Sequence, residues 1–332
     1  MKRYLQPFHL LILLASMLTG VLGATQVNAQ STLSGRVIDS ETGEYVFGAS
    51  VVDMETGLGT TTNLYGFFSL TLDAGPHDIL WTFIGYKSNQ VHFDAINDAQ
   101  VAQNDQRIIE LTPWTVHIAE AEVRGERSDH VDDTQMGRAK VDMSTIKALP
   151  ALLGEVDILK VIQLLPGVQS AGEGNAGFYV RGGGPDQNLV LVDNAVVYNA
   201  AHLFGFFSVF NPDAISGVEL TKGGMPARYG GRVSAVLEIS LKEGNARKLE
   251  TSGGIGLISS RLTVEGPIVK DTSSFIISAR RTYIDLLLKA ATDPSSALAG
   301  SGYYFYDLNT KMNWRISPKD QLYVSGYFGR DV

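Results

Sequence analysis

The chain has 332 residues, of which 44% are hydrophobic and 19% charged, enough apolar material for two or more globular units. Its 35 glycines and 13 tyrosines against 11 prolines favour a β-rich protein with many tight turns over a helical bundle. The net charge of −8 comes without a basic stretch interleaved with aromatics, which argues against a nucleic-acid partner. The absence of cysteine excludes disulfides, a catalytic thiol and thiolate metal sites.

The first residues predict an export signal. Lys2 and Arg3 precede the apolar run FHLLILLASMLTGVLG, and small residues surround Ala29, so we expect a secretory signal over residues 1–29 that is cleaved after Ala29. A membrane anchor helix is the alternative, but polar residues and a glycine interrupt the run, which is short for a span of about 20 residues. No later stretch reaches that length, so any membrane insertion must use strands.

Residues 30–112 have the pattern of a small β-sandwich. Alternating runs at 35–38, 49–53 and 67–72 are separated by the turn segments DSETGE, METGLG and LDAGPH. The stretches GRVID with TGE, GASV, GTTTNLYGFFSL and FIGYKS resemble the carboxypeptidase-regulatory-like domain. That resemblance implies a Greek-key sandwich without catalytic residues.

Residues 113–143 are more polar and weakly patterned, which is typical of a linker. Within them, VHIAEAEVRG is a β-prone run flanked by charge, of the kind that adds itself as a strand to the sheet edge of a partner. The alternative interpretation is an edge strand of this chain or a plain tether.

Residues 144–245 predict a mixed α/β domain. The stretch GEVDILKVIQLLPGV places Ile158, Val161, Ile162 and Leu165 on one helical face and ends at a Pro-Gly pair. In VRGGGPDQNLVLV the glycines are followed by proline and a strand, and no Lys-Ser/Thr completes a phosphate loop, so no nucleotide site is expected. The glycines instead predict a positive-φ turn between two strands.

Residues 246–332 predict strands with one apolar and one polar face. In GYYFYDLNTKMNWRISP the even positions from 304 to 316 are largely apolar and the odd positions between them largely polar. A soluble sandwich also alternates, but here charged residues recur on one face and aromatics cluster on the other, as in transmembrane β-barrels. The segment has room for about five strands, too few to close a barrel, so we expect the N-terminal part of a longer protein.

Two stretches of the 144–245 domain carry a family resemblance. LLPGVQS with GFYVRGGGPDQNLVLVDNAVVYN, and NPDAISGVELTKGGMPARYGGRVSAVLEIS, resemble the plug domain of TonB-dependent outer-membrane transporters. The resemblance implies a mainly β protein with an N-terminal Greek-key sandwich, a mixed α/β plug domain and the first strands of a transmembrane β-barrel. It also implies a place in the outer membrane, with the N-terminal domain and the linker in the periplasm.

Partners follow from the same resemblance. The periplasmic C-terminal domain of TonB, part of the inner-membrane energising complex, is expected to pair with a short box before the plug. Outer-membrane lipid surrounds the strands, and the ligand is a small extracellular molecule such as a siderophore, a vitamin or a glycan. No cofactor or metal is implied. The candidate TonB box consists of His117, Ile118, Ala119, Glu120, Ala121, Glu122 and Val123.

Arginines buried in a barrel lumen need partners, so we expect plug arginines to face carboxylates of the barrel wall. Solvated turn arginines are the alternative. The candidates for turn formation and lumen pairing are Arg181, Gly182, Gly183, Gly184, Asp193, Arg228, Gly230, Gly231, Arg232 and Glu265.

Two other functional classes compete with transport. An enzyme is not expected, because the six histidines are scattered without an H-E-x-x-H motif and no G-x-S-x-G elbow occurs, so no catalytic residues are predicted. A soluble periplasmic binding or signalling module, with a plug-like domain and no pore, is the second alternative. The aromatic face of the strands after residue 248 argues against it, since a soluble module does not need one.

Overall fold

The structure, a computed structural model, contains three units that follow one another along the chain: a sandwich (30–114), a central domain (137–245) and an antiparallel sheet (246–332), called the wall sheet below. The predicted signal and the candidate TonB box lie outside the described residues. The structure describes residues 30–94, 107–114, 137–148, 155–172, 175–286, 302–317 and 320–332.

The N-terminal unit is the predicted β-sandwich. Its strands are β1 (Gln30–Asp39), β2 (Ser50–Asp53), β3 (Gly59–Thr61), β4 (Phe67–Asp73), β5 (His77–Thr82), β6 (Asn89–Phe93) and β7 (Ile108–Leu111). One sheet has the order β4-β1-β7 and the other the order β3-β2-β5-β6. Alternate side chains point between the sheets, where Leu33, Phe68, Ile79 and Trp81 are buried and form the core.

The central domain has mixed α/β structure, as predicted. Its elements are β8 (Arg138–Asp142), α1 (Met143–Ala148), α2 (Ile158–Ile162), β9 (Val168–Ser170), β10 (Phe178–Val180), β11 (Asn188–Val192), β12 (Ala195–Val196), β13 (Ala201–His202), β14 (Phe207–Ser208), β15 (Ile215–Thr221) and β16 (Ala235–Leu241). Five strands form a sheet of order β12-β11-β16-β15-β8. Strand β16 is buried along its whole length because it lies between β11 and β15 with both sheet faces covered.

Helix α2 confirms the predicted amphipathic helix but is shorter than its apolar pattern. It begins after Asp157, whose side chain accepts hydrogen bonds from the N–H groups of Leu159 and Lys160. It ends at Ile162, so Leu165 lies beyond the helix and packs against the same core from a turn. Among the described residues no helix is long and apolar enough to cross a membrane.

The wall sheet consists of five antiparallel strands in sequence order. They are β17 (Glu250–Ile255), β18 (Ser259–Val269), β19 (Ser273–Thr282), β20 (Phe305–Arg315) and β21 (Gln321–Asp331). Strands β18, β20 and β21 each have 11 residues. At about 3.3 Å per residue each is about 36 Å long, which matches a tilted strand across a hydrocarbon core. The described strands form an open sheet with β17 and β21 at its edges.

Candidate functional site

The wall sheet turns its polar face toward the central domain and its apolar face outward. Buried polar and charged side chains alternate along β18, β19 and β20: Thr263, Ser274, Ser278, Arg280, Thr282, Asp307, Asn309, Lys311 and Asn313. Exposed apolar side chains stand on the other face: Leu262, Ile277, Leu308, Met312 and Trp314. A sheet of a water-soluble protein buries its apolar face, so this inversion indicates an apolar environment outside the sheet.

An ion-pair cluster joins the central domain to the wall sheet. Arg280 and Asp307 face each other across β19 and β20, and the guanidinium donates to Asp307 Oδ2 from Nε at 3.0 Å and from Nη2 at 2.6 Å. Arg280 Nη2 also donates to the carbonyl of Ser208 at 2.7 Å, and Nη1 lies 3.7 Å from Glu155 Oε2. A single cation of the wall sheet therefore holds a carbonyl and a carboxylate of the central domain.

His202 completes the cluster from the side of the central domain. Its Nε2 lies 2.7 Å from Asp307 Oδ1, and its Nδ1 lies 2.9 Å from Asp331 Oδ1. Ionised carboxylates only accept hydrogen bonds, so this geometry favours the protonated ring, which donates from both nitrogens. The ring also stacks on Phe305 with 4.1 Å between centroids. Arg280, Asp307, His202 and Asp331 together are called the latch cluster below.

Burial and charge act in opposite directions on the ionisable groups that the central domain contributes here. Burial lowers the pKa of His202, but the hydrogen bonds to Asp307 and Asp331 and their negative charges outweigh it and raise that pKa above its ordinary value. Burial raises the pKa of Glu155, and the positive charge of Arg280 counteracts this only in part. The cluster thus favours the charged form of His202 and disfavours the charged form of Glu155.

A short hairpin presents His202 to the wall sheet. Strands β13 and β14 pair antiparallel with His202 opposite Phe207. Between them, Leu203 and Gly205 have φ of +48° and +103°, values that close the chain in a tight left-handed turn. The N–H of Leu203 donates to the Tyr303 hydroxyl at 2.7 Å, which fixes the tip of the hairpin to the segment before β20.

Two side chains that cap helical turns of the central domain also contribute to its interface with the wall sheet. The Asp157 carboxylate caps α2 with one oxygen and accepts the N–H of Ser208 with the other at 2.8 Å, which ties the hairpin to the helix. Asn211 accepts the N–H of Asp213 and donates through its side chain to Ser278 Oγ on β19 at 2.8 Å. The same side chains therefore fix local backbone and contact the wall sheet.

A second set of contacts lies further along β20. Lys311 Nζ donates to the carbonyl of Leu241 at 2.9 Å and to Asp193 Oδ1 at 3.2 Å. Asn313 donates to the carbonyl of Glu243 at 3.1 Å. The central domain is therefore attached along the length of the strand, mostly through backbone carbonyls at the end of β16.

The three predicted lumen arginines of the central domain lie on its exposed turns. Arg228 stacks over Tyr229, 4.6 Å from the ring centroid, and donates to its hydroxyl at 2.7 Å. Arg232 donates to the carbonyl of Gly231 at 3.0 Å. In the described part of the chain, no ion pair includes Arg181, Arg228 or Arg232. The structure thus does not bring them to a wall carboxylate, and the buried arginine of the interface belongs to the wall sheet.

The glycine-rich turn lies between β10 and β11, and its left-handed residues are Arg181 and Gly182, with φ of +48° and +85°. Gly184 has a φ of −69° and precedes a single 3-10 turn. Gly183 serves close approach instead, because a Cβ there would stand 2.4 Å from Ser234 Oγ.

The other predicted site residues fall in three places. Asp193, at φ +45°, contacts the wall sheet through its ion pair with Lys311. Gly230 and Gly231 lie on an exposed turn with open space around them. Glu265 stands near the sandwich, where burial and then the negative charge of Glu265 raise the pKa of Glu44.

The sequence alone does not single out the latch cluster. Arg280 and Asp307 both stand at polar positions of alternating strands, and opposite charges at inward positions of neighbouring strands are the signal that could identify them. The strand register is needed to show that they face each other. His202 carries no such signal, because its position depends on the hairpin turn.

Two family models match the chain. The model of the CarboxypepD_reg-like domain matches residues 33–116, and the model of the TonB-dependent Receptor Plug Domain matches residues 132–236. Nothing among the curated proteins matches the chain.

Several solved structures are similar to the chain. The ferric enterobactin receptor PfeA of Pseudomonas aeruginosa has 21% identity over 60% of this chain and 33% of its own, with a TM-score of 0.42. The siderophore receptor PirA of Acinetobacter baumannii has 19% identity over 59% of this chain and 32% of its own, with a TM-score of 0.43. The outer membrane transporter YddB of Escherichia coli has 16% identity over 55% of this chain and 31% of its own, with a TM-score of 0.39. The chain spans about a third of the length of these proteins.

Buried polar contacts attach the central domain to one face of the wall sheet, and the other face of that sheet is apolar and exposed. This arrangement defines a plug lying against a wall. Residues 132–236 match the TonB-dependent Receptor Plug Domain model, and they follow residues 33–116, which match the CarboxypepD_reg-like domain model.

Proposed function

We propose that this chain works as part of a TonB-dependent outer-membrane transporter, in which the central domain is the plug that closes the lumen. The observation that carries the proposal is the inverted wall sheet, whose polar face is buried and whose apolar face is exposed. Lipid suits the exposed face and a plugged lumen suits the buried one. The function is gating and transport, without covalent chemistry.

The open edges of the wall sheet support a larger assembly. An edge strand in lipid leaves backbone N–H and C=O groups unpaired, at a cost of several kcal/mol for each group. Strands β17 and β21 therefore need neighbours, and we propose that further strands close the sheet into a barrel around the central domain.

Coupling is proposed to run through the linker before the central domain. TonB adds as a strand to residues 117–123 in the periplasm, where the sandwich also lies, and pulls with energy from the inner-membrane proton gradient. The transported ligand is a small extracellular molecule, and siderophore, vitamin and glycan stay open as classes.

The contacts give the two ends of the wall sheet different roles in this proposal. The sandwich contacts Arg315 and Gln321, where β20 ends and β21 begins, whereas His202 contacts Asp307 and Asp331 of the latch cluster at the opposite strand ends. With the sandwich in the periplasm, the latch cluster lies toward the outside. Ligand arriving there meets the His202 hairpin first.

The membrane location is tested with tryptophan quenching by brominated lipid. Trp314 is 50% exposed on the apolar face of the wall sheet, whereas Trp114 is 56% exposed on the sandwich. In the full-length protein in vesicles of acyl-brominated phosphatidylcholine, we expect Trp314→Phe to remove a quenched part of the emission, because the indole contacts acyl chains.

The matched control is Trp114→Phe, which is expected to leave the amount of lipid-quenched emission unchanged and to lower only the unquenched emission. Equal quenching of wild type and Trp314→Phe would contradict the lipid-facing orientation of β20. The soluble module would then become the better account.

A further inference from the structure

The sandwich contacts the wall sheet through two tyrosines. The Tyr45 hydroxyl donates to Gln321 Oε1 at 3.1 Å and accepts from Arg315 Nη2 at 3.2 Å. The rings of Tyr65 and Tyr323 lie 5.6 Å apart. These contacts join the sandwich to the ends of two neighbouring strands, β20 and β21.

The same surface of the sandwich contacts the central domain through Phe47. This side chain is only 5% exposed, yet it is absent from the sandwich core to which its neighbours Val46 and Ala49 belong. Its ring lies against Gly217 of β15, where a Cβ would stand 2.3 Å from Phe47 Cδ1, and Lys140 Nζ lies 5.5 Å from the ring centroid. Docking against the central domain is thus what buries Phe47.

A third group of contacts reaches the connection between the central domain and the wall sheet. The N–H of Gly244 donates to Glu44 Oε1 at 2.7 Å, and the N–H of Ala246 donates to the carbonyl of Thr42 at 2.8 Å. Arg247 forms an ion pair with Glu110 at 3.3 Å. One edge of the sandwich therefore contacts the central domain, the connection and the wall sheet at once.

We propose that the sandwich is a clamp: its edge formed by Thr42, Glu44, Tyr45, Phe47 and Tyr65 binds the junction of plug and wall and holds the central domain in place. A rigid body fastened to both partners prevents one from sliding past the other. The central domain is then free to rearrange only after the sandwich undocks. This role of the sandwich goes beyond the proposed transport function, and its test needs neither ligand nor TonB.

The test breaks the contact from each side in the full-length protein in lipid nanodiscs. Gly217→Ala places a methyl group in the space of the Phe47 ring, and Phe47→Ala removes the ring. Hydrogen–deuterium exchange is measured at single-amide resolution. The Gly244 and Ala246 amides report docking of the sandwich, and the Leu203 amide, bonded to Tyr303, reports attachment of the central domain at the far end.

The clamp predicts that each single variant speeds exchange of all three amides by about tenfold or more. Because both variants act on one contact, Gly217→Ala should add nothing further in the Phe47→Ala background. Ile84→Ala, which alters an exposed sandwich side chain, is the control and should change none of the three.

Two results would overturn the clamp. If the Gly244 and Ala246 amides exchange faster while Leu203 keeps its wild-type rate, the sandwich undocks without loosening the central domain. If neither variant changes any of the three amides, the Phe47 contact does not hold the sandwich at all.

Discussion

The His202 ring lies between carboxylates of two neighbouring strands, and each of its nitrogens is within hydrogen-bond distance of a carboxylate oxygen. Arg280 and Asp307 beside it are almost fully buried. Removing one partner of a buried pair leaves the other uncompensated, at a cost of about 3–5 kcal/mol. The latch cluster is therefore either complete or strongly unfavourable.

The raised pKa of His202 gives a prediction at the residue scale. Asp331→Asn removes one of the two negative charges beside the His202 ring, so we expect the pKa of His202 to fall toward its ordinary value of 6.5. The measurement is a pH titration of ¹³C-labelled histidine by NMR in the full-length protein. The ionisable groups around the ring are Asp307, Asp331, Arg280, Glu155, Tyr303 and Tyr327.

The sign for stability follows from the raised pKa. The contribution of His202 is fully present below about pH 6.5 and is lost as the pH rises through the higher folded-state value. His77 serves as the internal control, because its ring bonds Asp53 within the sandwich and should titrate unchanged in Asp331→Asn. A His202 titration that stays at its wild-type position would contradict the charge-bridging role of Asp331.

Strand addition is the prediction at the scale of elements. Proline has no N–H for a ladder and is poorly tolerated within a paired strand, so Ile118→Pro or Glu120→Pro should abolish binding of the TonB C-terminal domain. We expect the central domain to stay folded, since these positions precede β8 by many residues. The measurement is a pull-down with purified TonB domain.

Ser128→Pro, in the same linker but outside the candidate box, is the matched control and should bind as wild type does. Normal pull-down by Ile118→Pro and Glu120→Pro would place the box elsewhere in the linker.

Alternation made the strands predictable where one face differs from the other. Strand β20 shows this, because its odd positions from Asp307 to Asn313 are buried and Leu308, Met312 and Trp314 are exposed. Alternation alone does not show which face of the strand is buried, because that depends on whether water or lipid surrounds the sheet. The recurrence of charged residues on one face indicated that this face is the buried one. The extent of α2 was less predictable, because Leu165 keeps the apolar spacing although the backbone has already turned.

At the scale of the whole molecule, the contacts that matter most join residues far apart in sequence. Tyr45 and Gln321 are 276 residues apart, and His202 and Asp331 are 129 apart. Neither pair carries a local pattern, so the sequence predicts a sandwich, a mixed α/β domain and alternating strands without predicting how they contact one another. The structure adds a latch at one end of the plug and the sandwich at the other.

Because the exposed face of the wall sheet is apolar, a lysine placed there should affect stability more than a lysine at an exposed position of the sandwich. Leu308→Lys puts a charge on the apolar face of β20, which is expected to cost more than about 1 kcal/mol and at most about 2–4 kcal/mol, the value at the bilayer midplane. Ile84→Lys makes the same kind of change at an exposed sandwich position in water, where surface substitutions stay within about 0.5 kcal/mol. The measurement is guanidinium-dependent folding of the full-length protein into phosphatidylcholine vesicles. Because Leu308 is itself exposed, a water-surrounded wall sheet would tolerate lysine there as well as Ile84 does, and equal stabilities of the two variants would rule out lipid as the solvent of this face.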